Sequence, residues 1–150
     1  MGLTLVRRED WPERLAASIA RQAKRRFKFG SHDCTTAWAD NCKAMTGTDP
    51  MAEFRGQYHD AATAKEALER IGSNSLYHTM TAKFGRPVPP AMARRGDPVL
   101  VVIEARTVDS VFHPGGPALM TCLGELCVGP TMFGPERRPT ATGRYAWRVG

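Results

Sequence analysis

Arg86-Pro87-Val88-Pro89-Pro90 divides the chain into two stretches that follow different periodicities. Before it, apolar residues recur three and four apart, between cap residues and glycines. After it comes Val99-Leu100-Val101-Val102-Ile103, a β-branched run opened by Gly96-Asp97-Pro98. The first spacing is that of amphipathic helix, and a β-branched run bounded by turn residues is that of a buried strand. Prolines so closely spaced continue neither. Helices first and a small antiparallel sheet second define an α+β domain. The expected helical half covers about residues 10–85 and the sheet half about 96–150. A chain of 150 residues forms one domain with an ordinary core, and no internal repeat marks a second.

The helical half reads as several segments. Asp10-Trp11-Pro12-Glu13 is a helix start, with Asp10 as cap and Glu13 closing a capping box. Trp11, Leu15, Ile19, Ala23 and Phe27 then step by four, which predicts one long helix. Asp49-Pro50 starts a short helix that Gly56 ends. Asp60 caps the next, with Ala64, Ala67, Leu68 and Ile71 as its inward stripe. Asn74 starts the last, carrying Leu76, Tyr77, Met80 and Phe84 up to Gly85.

Between the first two segments, Phe29-Gly30-Ser31-His32-Asp33-Cys34 is a glycine loop that delivers a cysteine to the first turn of a helix. Cys34, Ala37, Trp38, Asn41 and Met45 share one face, Asp33 is its N-cap, and Gly47 is placed to end it in a left-handed conformation. A thiol there meets the positive end of the helix dipole, which favours thiolate and a nucleophilic role. The same residue, on an apolar face, is equally a buried core thiol.

In the sheet half, Val108 to Phe112 is a second apolar piece that leads into the loop Pro114-Gly115-Gly116-Pro117. Leu119 to Leu123 and Leu126 to Val128 form a hairpin turned at Gly124-Glu125. That register sets Cys122 opposite Cys127 on one face, close enough for a disulfide, although a cytosolic origin favours paired free thiols. Tyr145 to Val149 alternates as a closing strand. Cys34, Cys42, Cys122 and Cys127 have neither the density of a disulfide scaffold nor the paired spacing of a zinc site, so no metal or other cofactor is expected.

Net charge is +6 and the pI near 9.5. Arg21, Lys24, Arg25, Arg26 and Lys28 supply much of the excess. Such a cluster suits nucleic acid, an acidic wall polymer or an acidic protein neighbour, or is simply a solvated helix end. No motif or aromatic platform accompanies it, so no specific nucleic-acid partner is expected. No window is apolar enough to cross a bilayer. The N-terminal charges follow a very short apolar run, the wrong order for a secretory signal, so synthesis and folding are expected in a cytosol.

A cysteine opening a helix after aspartate, with Gly96-Asp97 opening a later strand, resembles the NlpC-type papain-like hydrolases of bacterial peptidoglycan. The segments Gly30 to Cys34, Thr46 to Pro50, Arg55-Gly56-Gln57-Tyr58 and Ala146 to Val149 are similar to those of a small phage family related to these enzymes and encoded among tail-tip genes. The resemblance spans roughly residues 27–150 and implies an NlpC/papain-like fold, with Cys34 in the nucleophile position.

It also implies a histidine at the start of the next sheet strand. Pro117-Ala118-Leu119-Met120 stands there, with Ala118 in the histidine's place. Without an imidazole, Cys34 lacks a proton acceptor and a general acid for the leaving amine. His113, a few residues upstream, is the candidate base; His32, His59 and His78 read as structural.

Two functions follow. One is a virion tail-tip component, made in the host cytoplasm, that keeps the fold as an assembly module beside hub, distal-tail and tape-measure proteins and whose catalytic site is degenerate. The other is a cysteine hydrolase, with Cys34 and His113, that opens peptidoglycan during genome delivery. A chaperone of tail assembly is a third and weaker reading.

Overall fold

In a computed structural model, which describes residues 2–150, the chain order is helices and then strands. The helices are α1 (Trp11–Gln22), α2 (Cys34–Thr46), α3 (Ala61–Arg70) and α4 (Leu76–Phe84). The strands are β1 (Pro98–Ile103), β2 (Arg106–Val108), β3 (Val111–His113), β4 (Gly116–Cys122), β5 (Leu126–Thr131), β6 (Gly134–Pro139) and β7 (Tyr145–Ala146). Five of them form an antiparallel sheet in the order β6-β5-β4-β1-β7, and β2 pairs only with β3. The architecture is α+β.

Local chemistry sets the helix ends. Asp33 accepts from the Thr36 N–H at 2.9 Å while the Thr36 hydroxyl accepts from the Asp33 N–H at 2.8 Å, a complete capping box for α2. Gly47 closes α2 at φ 85°. Asp60 and Thr63 repeat the box on α3. The cap of α4 is Ser75 rather than Asn74, because Asn74 takes a left-handed φ of 82° and leaves the Ser75 hydroxyl facing the His78 N–H.

Helix α1 departs from its pattern. It starts at Trp11, but Asp10 makes no cap bond and pairs instead with Arg14 at 2.8 Å. It ends at Gln22, short of Phe27. Crowded cations at helical spacing oppose further turns. The chain turns so that Arg25 donates to the Ser31 carbonyl at 3.1 Å and Phe27 meets Phe29 edge-on at 4.9 Å.

The sheet buries both faces. Leu100 and Leu119 join Trp38, Cys42, Met51, Met80 and Trp147 on the helical side. Val99, Val101, Ala118, Met120, Cys122 and Cys127 form a cluster on the other. Cys122 lies opposite Cys127, and both are free thiols. Three sheet readings change. The apolar piece at 108–112 is a two-stranded ribbon turned at Asp109 and Ser110, both at positive φ, with Val111 and Phe112 exposed. Residues 134–139, proline-rich and charged, form the edge strand β6, where missing N–H groups can face outward. The closing strand pairs only at Tyr145–Ala146, since the Val149 N–H turns to the Asp97 carboxylate at 3.1 Å.

Candidate functional site: a cysteine cleft

The glycine loop is held in place by the Arg55–Tyr58 segment. Gly30 sits at φ 87° with its carbonyl accepting from the Gly56 N–H at 2.9 Å. A Cβ at Gly30 would stand 2.4 Å from the Tyr58 carbonyl oxygen, so glycine is required by both backbone angle and space. Arg55 in turn bonds Asp49 at 2.6 Å and Asp40 at 2.8 Å, tying the turn after α2 back to its middle. The segments around Gly30, Asp49 and Arg55, separate in the sequence, are therefore neighbours in space.

This frame sets Cys34 at the start of α2, half-buried in a cleft of about 590 Å³. The walls are mostly apolar and include Phe27, Phe29, Phe54, Leu68 and Phe133. Ala64 and Leu68 of the α3 stripe, both only partly buried, line this cleft, and Leu68 also packs against the core. Asp33, Tyr58, Thr35 and Lys65 add polar groups. The volume is that of a small-ligand or peptide-side-chain site.

The thiol is not activated. Burial pushes its pKa up to about 11 from an ordinary 9.0, and the Asp33 carboxylate adds to the shift; hydrogen bonds from the Leu119 backbone and Thr35 only partly offset it. Desolvation thus acts against the thiolate that the helix dipole favours. At pH 7 a thiol with a pKa of about 11 is ionised to about one part in ten thousand. Such a sulfur needs a base.

His113 lines the same cleft, from the end of β3. Its ring stands edge-on to Phe133 at 5.1 Å, and among the described residues no hydrogen bond joins it to Cys34. Ala118 also lines the cleft, and Cys34 packs against the apolar cluster to which Ala118 belongs. The other histidines lie apart. His32 is buried, its pKa lowered by desolvation and by Arg25, with Nδ1 unpaired. His59 is exposed beside Asp60, and His78 bonds Ser75.

Asp97 serves the frame, not the cleft. Fully buried, it accepts from Arg7 at 2.8 Å, from the Arg94 N–H at 2.8 Å and from the Val149 N–H at 3.1 Å. One carboxylate thus joins the N-terminal segment, the linker and the C-terminus. Sequence reasoning did not single out Tyr58 as a partner of Asp33, or Phe27 and Phe29 as cleft walls. Their traces are the Arg55-Gly56-Gln57-Tyr58 segment and the two aromatics just before Gly30. Among the described residues, no cluster of histidine, cysteine and carboxylate side chains could hold a metal ion, and no helix is long and apolar enough to cross a membrane.

Fold and site together define an α+β domain with a cysteine at the helix-start wall of an apolar cleft. The chain belongs to the family described as a domain of unknown function, DUF6950, which matches residues 6–149. No curated protein and no solved structure matches it.

Proposed function

We propose that this chain is a bacteriophage tail-tip component in which an NlpC-like, papain-like scaffold serves assembly and the catalytic site is degenerate. The observation that carries the reading is the absence of an imidazole bonded to Cys34 among the described residues, with Ala118 lining the cleft where the resemblance calls for histidine. A neutral thiol without a proton acceptor cannot form the thiolate that attacks an amide. A fold outlives its chemistry when its surfaces are still needed. Its neighbours would be the hub, distal-tail and tape-measure proteins, met after synthesis in the host cytoplasm. Mass spectrometry of purified virions should find the chain at stoichiometric level, and purified protein should release no soluble fragments from peptidoglycan sacculi. A chain missing from virions overturns the reading.

One observation favours a second reading, an active cysteine hydrolase: Cys34 and His113 line one cleft. On this reading His113 takes the Sγ proton as sulfur adds to the amide carbonyl carbon. It returns that proton to the leaving amine as the C–N bond breaks, and water then hydrolyses the thioester. Sacculus degradation abolished by both Cys34→Ala and His113→Ala would establish it.

A further inference from the structure

A second concavity, of about 480 Å³, shares no residue with the cysteine cleft. It follows the seam between α1 and the C-terminal half of α2. The helices run antiparallel there: the Arg8 N–H donates to the Met45 carbonyl at 2.8 Å and Gln22 Nε2 donates to the Ala37 carbonyl at 3.0 Å. Arg8, Arg14, Arg21, Arg25 and Lys43 line it against one carboxylate, Asp40. Asp40 is held by Arg55 at 2.8 Å, and Arg25 reaches it only at 3.5 Å. Arg14 pairs with exposed Asp10. Arg8, Arg21 and Lys43 have no ion-pair partner among the described residues. Exposed Lys24, Arg26 and Lys28 extend the charge past the end of α1.

Complementing the helix dipoles explains Arg21 and Lys43, which lie near C-terminal ends. Arg8 belongs with them, its guanidinium lying against Gly47 at the C-terminal end of α2, whereas Arg14, in the first turn of α1, is offset only by the exposed Asp10. Gathering these charges in one groove raises the local potential and favours an anionic occupant. The lining carries no aromatic or large aliphatic side chain. It therefore lacks the apolar anchor on which protein interfaces depend and the stacking platform on which single strands depend. Guanidinium groups in a polar groove suit phosphate oxygens.

We propose that this groove binds the phosphate backbone of duplex nucleic acid without sequence preference. The proposal is independent of the state of Cys34. The test is fluorescence anisotropy with a labelled DNA duplex of about 20 base pairs, titrated from about 50 mM salt upward. The protein should bind A·T-rich and G·C-rich duplexes equally, with log K falling linearly against log salt. Arg21→Glu/Lys43→Glu should weaken binding at least tenfold and reduce the salt slope by about 2, about 1 for each phosphate no longer neutralised. Arg21→Gln/Lys43→Gln should do so more mildly. Arg86→Glu/Arg148→Glu makes the same change in net charge at exposed sites outside the groove and should cost less than about threefold, since distant surface charges are screened. Absence of wild-type binding overturns the proposal, as does equal weakening in the control. Equal affinity for poly-glutamate at matched salt also overturns it, and would assign the groove to acidic proteins.

Discussion

Tyr58 donates its hydroxyl to Asp33 Oδ2 at 2.6 Å, and that carboxylate simultaneously accepts from the Gly30 N–H at 2.8 Å and caps α2 through Thr36. One side chain thereby holds the glycine loop, the helix start and the Arg55–Tyr58 segment in a single arrangement. Cys34 is the next residue in the chain, so this carboxylate fixes the backbone from which its thiol projects. Burial and the Asp33 charge push the Tyr58 phenol well above its usual range, which keeps it a donor.

Tyr58→Phe should therefore destabilise the protein by about 1.5–3 kcal/mol, the contribution of a hydrogen bond to a charged acceptor. Urea unfolding checks this. The same substitution in an Asp33→Asn background should cost clearly less, because the acceptor is then neutral. An unchanged cost would mean that Tyr58 acts through packing alone.

What the sequence made legible is what local chemistry decides. Asp33, Gly47, Asp60 and Gly85 mark their helix boundaries because caps and left-handed glycines act within a few residues. The Cys122–Cys127 register follows from one short turn. The end of α1 was not legible, since Phe27 keeps the helical spacing yet is drawn off by Phe29 and the cleft. Nor was β6, whose pairing with β5 depends on an edge position invisible in a Pro- and Arg-rich run. In the site, Cys34 was visible from its loop. Its protonation state was not, because the cleft that surrounds it is completed by segments far along the chain, Phe54, Leu68 and Phe133 among them.

Asp97 is the buried carboxylate on which three chain segments converge. Asp97→Ala should cost about 3–5 kcal/mol, the usual penalty for leaving a buried partner charge, here Arg7, without its counter-ion. Asp97→Asn retains an oxygen acceptor and should cost less. Chemical denaturation of both variants checks the order, and an inverted order would refute the role of the Arg7 ion pair.

The desolvated thiols, half-buried Cys34 and buried Cys42, make stability depend on alkaline pH. Cys34 and Cys42 lie at about 11 and about 12 in the folded state, against an ordinary 9.0. The unfolded chain loses those protons first as pH rises, so the folded state binds more protons above pH 9.0. Stability should be full below that value and fall as pH rises through 11 to 12. Unfolding free energy measured against pH should show that decline, and Cys34→Ala should flatten part of it. Iodoacetamide labelling of folded protein should likewise give Cys34 a reactivity midpoint near pH 11; a midpoint near neutrality would contradict the desolvated thiol.

Ala118→His tests whether the cleft lacks only its base. Ala118 lines the cleft with Cys34, 6% exposed, while its neighbour Leu119 turns to the helical core. An imidazole introduced there enters an apolar wall and should cost about 1–3 kcal/mol through overpacking. If it reaches Cys34, the histidine accepts the thiol proton and the resulting ion pair lowers the thiol pKa. Labelling of Cys34 at neutral pH should then rise at least tenfold over the parent protein, with Cys42, Cys122 and Cys127 unchanged. A histidine that leaves Cys34 as slow as before would show that the missing side chain is not what separates this cleft from a working cysteine hydrolase, and His113 would become the residue to test.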